Sequence, residues 1–200
     1  MNKKFEYYLN TIHYCIYLGE VRSTKRMETG VSRLFSIMLR LFFTERFRNK
    51  FYDRRLRHRE ELNEYMYGKN YGQSISVAHH WFGYFYSGYA SILSFVLLGM
   101  ASGIWGDDVS QIEVFVIVML PIGLAYIPAY RAVFTNDRYL KNFKKFEKED
   151  EQWHKKWKRR TIAFCVGSVA VIIGGIFAMW GLMCCSGSEG VLGNSNMLGS

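Results

Sequence analysis

Trp81 to Trp105 reads WFGYFYSGYASILSFVLLGMASGIW, 25 consecutive residues without a charge and with a tryptophan at each end. At about 1.5 Å of rise per helical residue the stretch is roughly 37 Å long, more than the roughly 30 Å of a bilayer's hydrocarbon core. It predicts a membrane-spanning helix over 82–105, and the rest of the chain is placed relative to it.

On its far side GDDVSQ, Gly106 to Gln111, is the whole turn to a second apolar run, Ile112 to Tyr130. A turn this short makes the two helices antiparallel neighbours. The second run is about 28 Å long, just enough to span, and Pro121 and Pro128 predict a kink in it. A third span is expected over Ile162 to Met183, where Ala163, Gly167, Ala170, Gly174, Ala178 and Gly181 step by four and three along one face. Helices in lipid associate where small residues let backbones approach, so this seam predicts a helix contact. Ser186 to Ser200, rich in Gly, Ser and Asn, reads as a disordered tail.

The segments before and between these runs are basic. Phe5, Tyr8, Leu9, Ile12 and Ile16 give one apolar face to a short amphipathic helix ending near Leu18. Arg22 to Thr29 reads as a connector, with Gly30 as a break. Val31 to Thr44 is apolar but only about 21 Å long as a helix, and it carries Arg33 and Arg40 on one side. An arginine at mid-depth is costly, so this helix is expected in the interface or in a cytosolic bundle. The pattern runs on into ERFRNKFYDRRLRHREELNEYMY and ends at Gly68 and Gly72. Arg131 to Arg160 leaves the membrane and must return to the same side. It is expected to fold back as a hairpin near Glu147 to Glu151 or to lie along the surface, with Trp153 and Trp157 favouring an interfacial second half and Thr135 or Asn136 capping the first.

Charge sets the topology. Lys and Arg number 15 in residues 1–80, none in 81–130, 11 in 131–160 and none from Thr161 onward. Basic residues stay on the cytoplasmic side, so residues 1–80 and the 131–160 insertion are cytosolic, while the acidic turn and the C-terminus face out. The expectation is an all-α, multi-pass protein of the inner (plasma) membrane, with three transmembrane helices in residues 81–185 and amphipathic basic helices in the cytosol. The N-terminus has no uninterrupted apolar core and no small-residue cleavage site, so no cleaved leader is expected.

Four features carry possible chemistry. Arg46, Arg48, Lys50, Arg54, Arg55, Arg57 and Arg59 crowd one helical stretch with Phe47, Phe51, Tyr52 and His58 interleaved. Guanidinium forks match phosphate oxygens, so the cluster suits nucleic acid, a nucleotide or anionic lipid headgroups, and it equally satisfies the positive-inside bias. Ser87, Ser91, Ser94 and Ser102 share a face of the first span and can line a path in a homo-oligomer or pack against a neighbouring helix. Gly99 and Gly103 form a GxxxG on a nearby face. His79 and His80 stand before the first span without a third ligand positioned for a metal, and the four cysteines show no CxxC spacing. Arg54 and His58 are too close for the Arg/His pair of small ribonuclease domains, and no nucleophile, base or phosphate loop is arranged. No catalytic activity, metal or cofactor is expected.

The basic helical region Val31 to Tyr67 feeding the hairpin Trp81 to Tyr130, with little mass outside, resembles small multispan effector or accessory proteins of bacterial anti-phage loci. These include the membrane accessory proteins of type VI CRISPR systems and two-helix effectors paired with nucleotide-second-messenger enzymes; the third span departs from the latter. The resemblance implies an oligomer that alters membrane permeability on a cytosolic anionic signal. The other expectation is a non-catalytic anchor that recruits a cytosolic enzyme or nucleoprotein.

Overall fold

A computed structural model gives an all-α chain and describes residues 2–68, 72–105 and 110–193, the side chains of Arg55, Arg59 and residues 184–193 excepted. Three of its helices are long and apolar enough to cross a membrane. They fall on the three expected spans. In chain order α1 is Lys3–Phe42, α2 Glu45–Arg57, α3 Arg59–Tyr67, α4 Gln73–Trp105, α5 Gln111–Val133, α6 Arg138–Phe146 and α7 Glu151–Gly193.

Helices α4, α5 and α7 form the long bundle. Pairs along α4 and α7 advance together, with Tyr89 Oη donating to the Phe164 carbonyl at 2.7 Å and Gly99 against Leu182, so these two run parallel. Helix α5 is antiparallel to α4, as the short turn requires: Ser94 Oγ donates to the Val118 carbonyl at 2.9 Å and Phe82 meets Phe134. Residues 106–109 lie outside the described ones, but the entry to α5 is a full capping box. Ser110 Oγ accepts from the Glu113 backbone N–H, and a Glu113 carboxylate oxygen accepts from the Ser110 N–H. Outward from the contacts the bundle stays apolar, with Phe115, Leu120, Leu124, Val166 and Phe177 exposed.

The α4–α7 contact does not use the expected seam. Ala163, Ala170, Gly174 and Ala178 are exposed, and nothing lies within 4 Å of a Cβ added at Gly174 or Gly181; of the seam's glycines Gly167 alone meets α4, through Tyr89. The buried face of α7 lies beside it, at Thr161, Ser168 and Gly175. There the close approach is made by glycines on both helices: a Cβ at Gly88 would fall on Ser168 Oγ, and one at Gly175 would lie 2.6 Å from the Phe95 ring. The glycine pair of α4 is split, Gly99 packing on Met179 and Leu182 while Gly103 is exposed.

At the basic end of this bundle α1 is built in. The expected break at Gly30 is absent, and Lys3–Phe42 is one helix of 40 residues. The intervening segment supports itself: Thr24 Oγ1 donates to the Glu20 carboxylate, and Thr29 Oγ1 donates to the Lys25 carbonyl. A single helical glycine costs about 1 kcal/mol, too little to stop a helix held at one end by tertiary packing. Leu9 to Tyr14 are all buried, six in succession, which requires neighbours all round. These are Ile75, Ala78 and Phe82 of α4, Ala129, Ala132 and Val133 of α5, Phe143 and Phe146 of α6 and Trp153 of α7.

Two further expectations change. The chain breaks at Phe43 and Thr44, so α2 and α3 fold back along the second half of α1 rather than extending it. Residues 131–160 do form a hairpin, but its second half is not a separate segment: Glu151 opens α7, which continues unbroken through the third apolar stretch to Gly193, inside the stretch expected as a disordered tail. Residues 194–200 lie outside the described ones. Asp150 starts α7 by accepting from the Trp153 N–H at 2.7 Å. Thr135 and Asn136 do not cap α6. Instead Asn136 and Asp137 take φ of 56° and 50°, a left-handed reversal that Asn and Asp tolerate better than other side chains.

Filling the true contact should hurt where filling the small-residue seam does not. Gly175→Val is expected to destabilise the chain by about 1–3 kcal/mol through overpacking on Phe95, and Gly174→Val to leave it unchanged. Thermal unfolding in detergent, followed by circular dichroism, reads the difference.

Candidate functional site

The arm formed by the second half of α1 with α2 and α3 is held together at its two ends. At the tip Phe35 and Phe51 meet at 5.3 Å between ring centres, and Tyr52 Oη donates to Ser36 Oγ at 3.2 Å. At the base Tyr67 Oη donates to the Glu28 carboxylate at 2.8 Å, and Lys25 sits 5.1 Å over the Tyr67 ring. Between these ties the helices stand apart and enclose an open cleft of about 860 Å³. Its walls are Lys25, Glu28, Thr29, Ser32 and Arg33 of α1 opposite Tyr52, Leu56, Leu62, Asn63 and Tyr67 of α2 and α3.

The chemistry of the cleft is mixed in a specific way. Lys25 and Arg33 supply positive charge, while Glu28 is engaged by the Tyr67 hydroxyl. Partial burial and that bond push the Tyr67 hydroxyl up to about 12, so it stays a donor at neutral pH. Tyr52 offers an aromatic face, Leu56 and Leu62 an apolar wall, and Asn63 an amide with both donor and acceptor. Cation, aromatic face and amide are together the set that holds a phosphate, a planar base and a base edge.

The described side chains of the arginine cluster lie beside this cleft. Arg46, Lys50, Arg54 and Arg57 are exposed on the outer side of α2, Arg48 pairs with Glu45 at 3.4 Å, and the side chains of Arg55 and Arg59 lie outside the described ones. Arg46, Arg48, Lys50, Arg54 and Arg57 therefore surround the arm with positive potential and are not among the described residues that line its cavity. Of the serine stripe, Ser91 and Ser94 are buried and spend their hydroxyls on the carbonyls of Gly88 and Val118, which is packing; Ser87 and Ser102 are half-buried. No group of three or more potential metal ligands is found among the described residues.

Of the residues that tie arm to bundle, the sequence reading singles out only His79. Tyr17 Oη donates to the Tyr67 carbonyl at 3.2 Å, so the base of the cleft, the root of α1 and the approach to α4 share one bond. One turn deeper His13 Nε2 and His79 Nδ1 are 2.8 Å apart, in a box made by Phe82, Phe134, Tyr139 and Phe143. His80, its sequence neighbour, is exposed. Asn10 Nδ2 donates to the Ala132 carbonyl at 3.0 Å, satisfying one of the carbonyls freed at the end of α5. Arg138 pairs with Glu6 at 3.2 Å beside it. Nothing local marks His13, since its partner is 66 residues away; its place one position after Ile12 on a buried helix is the only trace.

Burial, and then the neighbouring His79, hold the His13 imidazole well below its ordinary 6.5. The folded chain thus keeps it neutral, while the unfolded chain takes up a proton near 6.5. Stability from this group is full above pH 6.5 and falls as the pH drops below it, by at most about 1.4 kcal/mol per unit. His13→Gln should flatten the pH dependence between 6.5 and 5 in chemical denaturation of the detergent-solubilised protein. No protein-family model matches this chain, and no curated protein and no solved structure matches it either.

Proposed function

We propose that this chain is an oligomeric integral membrane protein that alters the permeability of the inner membrane when its basic arm takes up a cytosolic anionic ligand, a nucleotide or nucleic acid, as an anti-phage effector would. The observation that carries the reading is the cleft between α1 and α2–α3, whose base residue Tyr67 ends α3, six residues before α4 begins, and is bonded to Tyr17 of α1. A ligand that draws Lys25 and Arg33 toward it pulls on Tyr67, which Lys25 already covers. The strain reaches the start of the first long apolar helix through one residue pair.

Charge supports the orientation: all the Lys and Arg fall in residues 1–80 and 131–160, most of them on the arm and the α6–α7 hairpin, and such segments stay cytosolic. The small residues Ala163, Ala170, Gly174 and Ala178 support assembly, because they are exposed on α7 after α4 has been packed. They leave a smooth face for another copy in lipid. The same buried serines that pack α4 favour a second reading. With Ser91 and Ser94 committed to carbonyls, the polar face that would have lined a path is spent, and a non-conducting anchor that holds a cytosolic enzyme or nucleoprotein by its arm fits as well.

Liposome leakage separates the two. The reconstituted protein, exposed to cyclic dinucleotides, linear oligoadenylates and short RNA, should release an entrapped dye about tenfold faster with one of them, a coupling of ordinary size. Lys25→Glu with Arg33→Glu should abolish the response and leave protein yield unchanged. Liposomes that stay intact under every ligand, with a stoichiometric cytosolic partner captured by the arm, favour the anchor.

A further inference from the structure

The arm also carries an apolar surface that neither reading uses. From Met27 onward α1 presents Met27, Val31, Leu34, Met38 and Leu41 at steps of four and three, exposed by 67%, 62%, 68%, 50% and 73%. The opposite side of the same helix is taken: Phe35 and Ser36 meet α2, and Leu39 is buried. Helix α2 therefore covers one face and leaves the other bare. Continued backward by the same steps, the bare face passes through Ser23 and Glu20 to Ile16, Ile12, Leu9 and Phe5, of which Ile12 and Leu9 are sunk in the core with Ile75, Ala78 and Phe82 while Ile16 and Phe5 pack against it. One helical face thus begins inside the bundle, at the basic end of the long apolar helices, and runs out into the open.

A contiguous stripe of this size marks a surface that something covers. A second copy and a bilayer surface both offer the apolar contact, and charge decides between them. From Arg22 to Tyr67 the arm holds 12 Lys and Arg against six Asp and Glu, so two arms face to face repel while an anionic leaflet attracts. The cations are also placed for a lipid surface. Arg26, Arg33 and Arg40 follow one another at seven-residue steps along one edge of the stripe, all exposed. Their long stems let the guanidinium groups reach phosphates while the neighbouring side chains enter the acyl boundary.

We propose that residues 27–42 of α1 form an interfacial helix that lies on the anionic cytosolic leaflet, with the Met27–Leu41 stripe inserted and Arg26 and Arg40 at the headgroup phosphates. Arg33 sits at the border of stripe and cleft. The arm is then held between lipid on one side and α2–α3 on the other, whichever way the cleft is used.

Hydrogen exchange of the full-length protein in nanodiscs tests this. Peptides covering residues 27–42 should exchange several-fold more slowly in discs containing phosphatidylglycerol than in pure phosphatidylcholine, with α4 peptides unchanged as the internal reference. Arg26→Gln with Arg40→Gln should lose that slowing; so should Leu34→Gln with Leu41→Gln, a pair exposed in the chain and so harmless to its core. Equal exchange in both lipids overturns the proposal. So does protection that follows the number of protein copies per disc and ignores lipid charge, which would put a second copy on the stripe. Because neither variant pair touches Lys25 or Arg33, ligand-triggered leakage can fail while the lipid dependence stands, and the reverse.

Discussion

Everything outside the long bundle depends on the insertion of the first half of α1 among the ends of α4, α5, α6 and α7. Six consecutive buried residues, Leu9 to Tyr14, put three polar side chains in that core, and two of them answer a polar group there: Asn10 holds the Ala132 carbonyl and His13 holds His79. Removing one partner of such a pair leaves a buried polar group unpaired, which costs about 1–3 kcal/mol, so register and depth of insertion are specified by hydrogen bonds and not by apolar contact alone. Once α1 is fixed there, its remaining length is a rigid lever. Tyr17, two turns beyond the start of the buried run, is where the lever meets α3 and the chain leading to α4.

This arrangement explains why the chain can be so unevenly charged and still fold. The net charge of +9 is kept off the α1 insertion and off the long apolar helices. It is carried by the arm, the hairpin and the start of α7, where phosphate-bearing partners can approach. A cleft with two cations, a tyrosine face and an amide, embedded in that field, gains both attraction at distance and contact at close range. The stripe on the other side of α1 gives the same arm a reason to stay near the bilayer it would act on.

The three long apolar helices were legible because uncharged runs of seventeen or more residues have few alternatives to spanning, and the hairpin after α5 was legible because both its neighbours must reach the same side. Helix lengths were not. Gly30 and the polar run before it look like a connector locally, but the helix is nucleated in the core at Leu9 to Tyr14 and propagates through them. Trp153 and Trp157 suggest an interface, yet they are spent on Tyr7, Tyr8, Tyr14 and Phe146. The face of α7 that meets α4 was not legible, for a different reason. Small residues at one spacing announce that some helix can approach there, but which face meets α4 depends on Gly88 and Phe95, 70 or more residues away in sequence. Of the site, the arginine cluster is visible in sequence because it is local, whereas the cleft and the histidine pair are products of the fold-back of α2–α3 and the docking of α1.

The most direct test of a ligand-gated membrane protein with its receiver on one side is the sidedness of the current it carries. In a planar bilayer with the protein inserted in one orientation, a nucleotide ligand added to the compartment facing the basic arm should open a conductance, and the same ligand added to the other compartment should not. Conductance that is absent from both sides, or equal from both, contradicts a cytosolic cleft acting through Tyr67 on the long apolar helices.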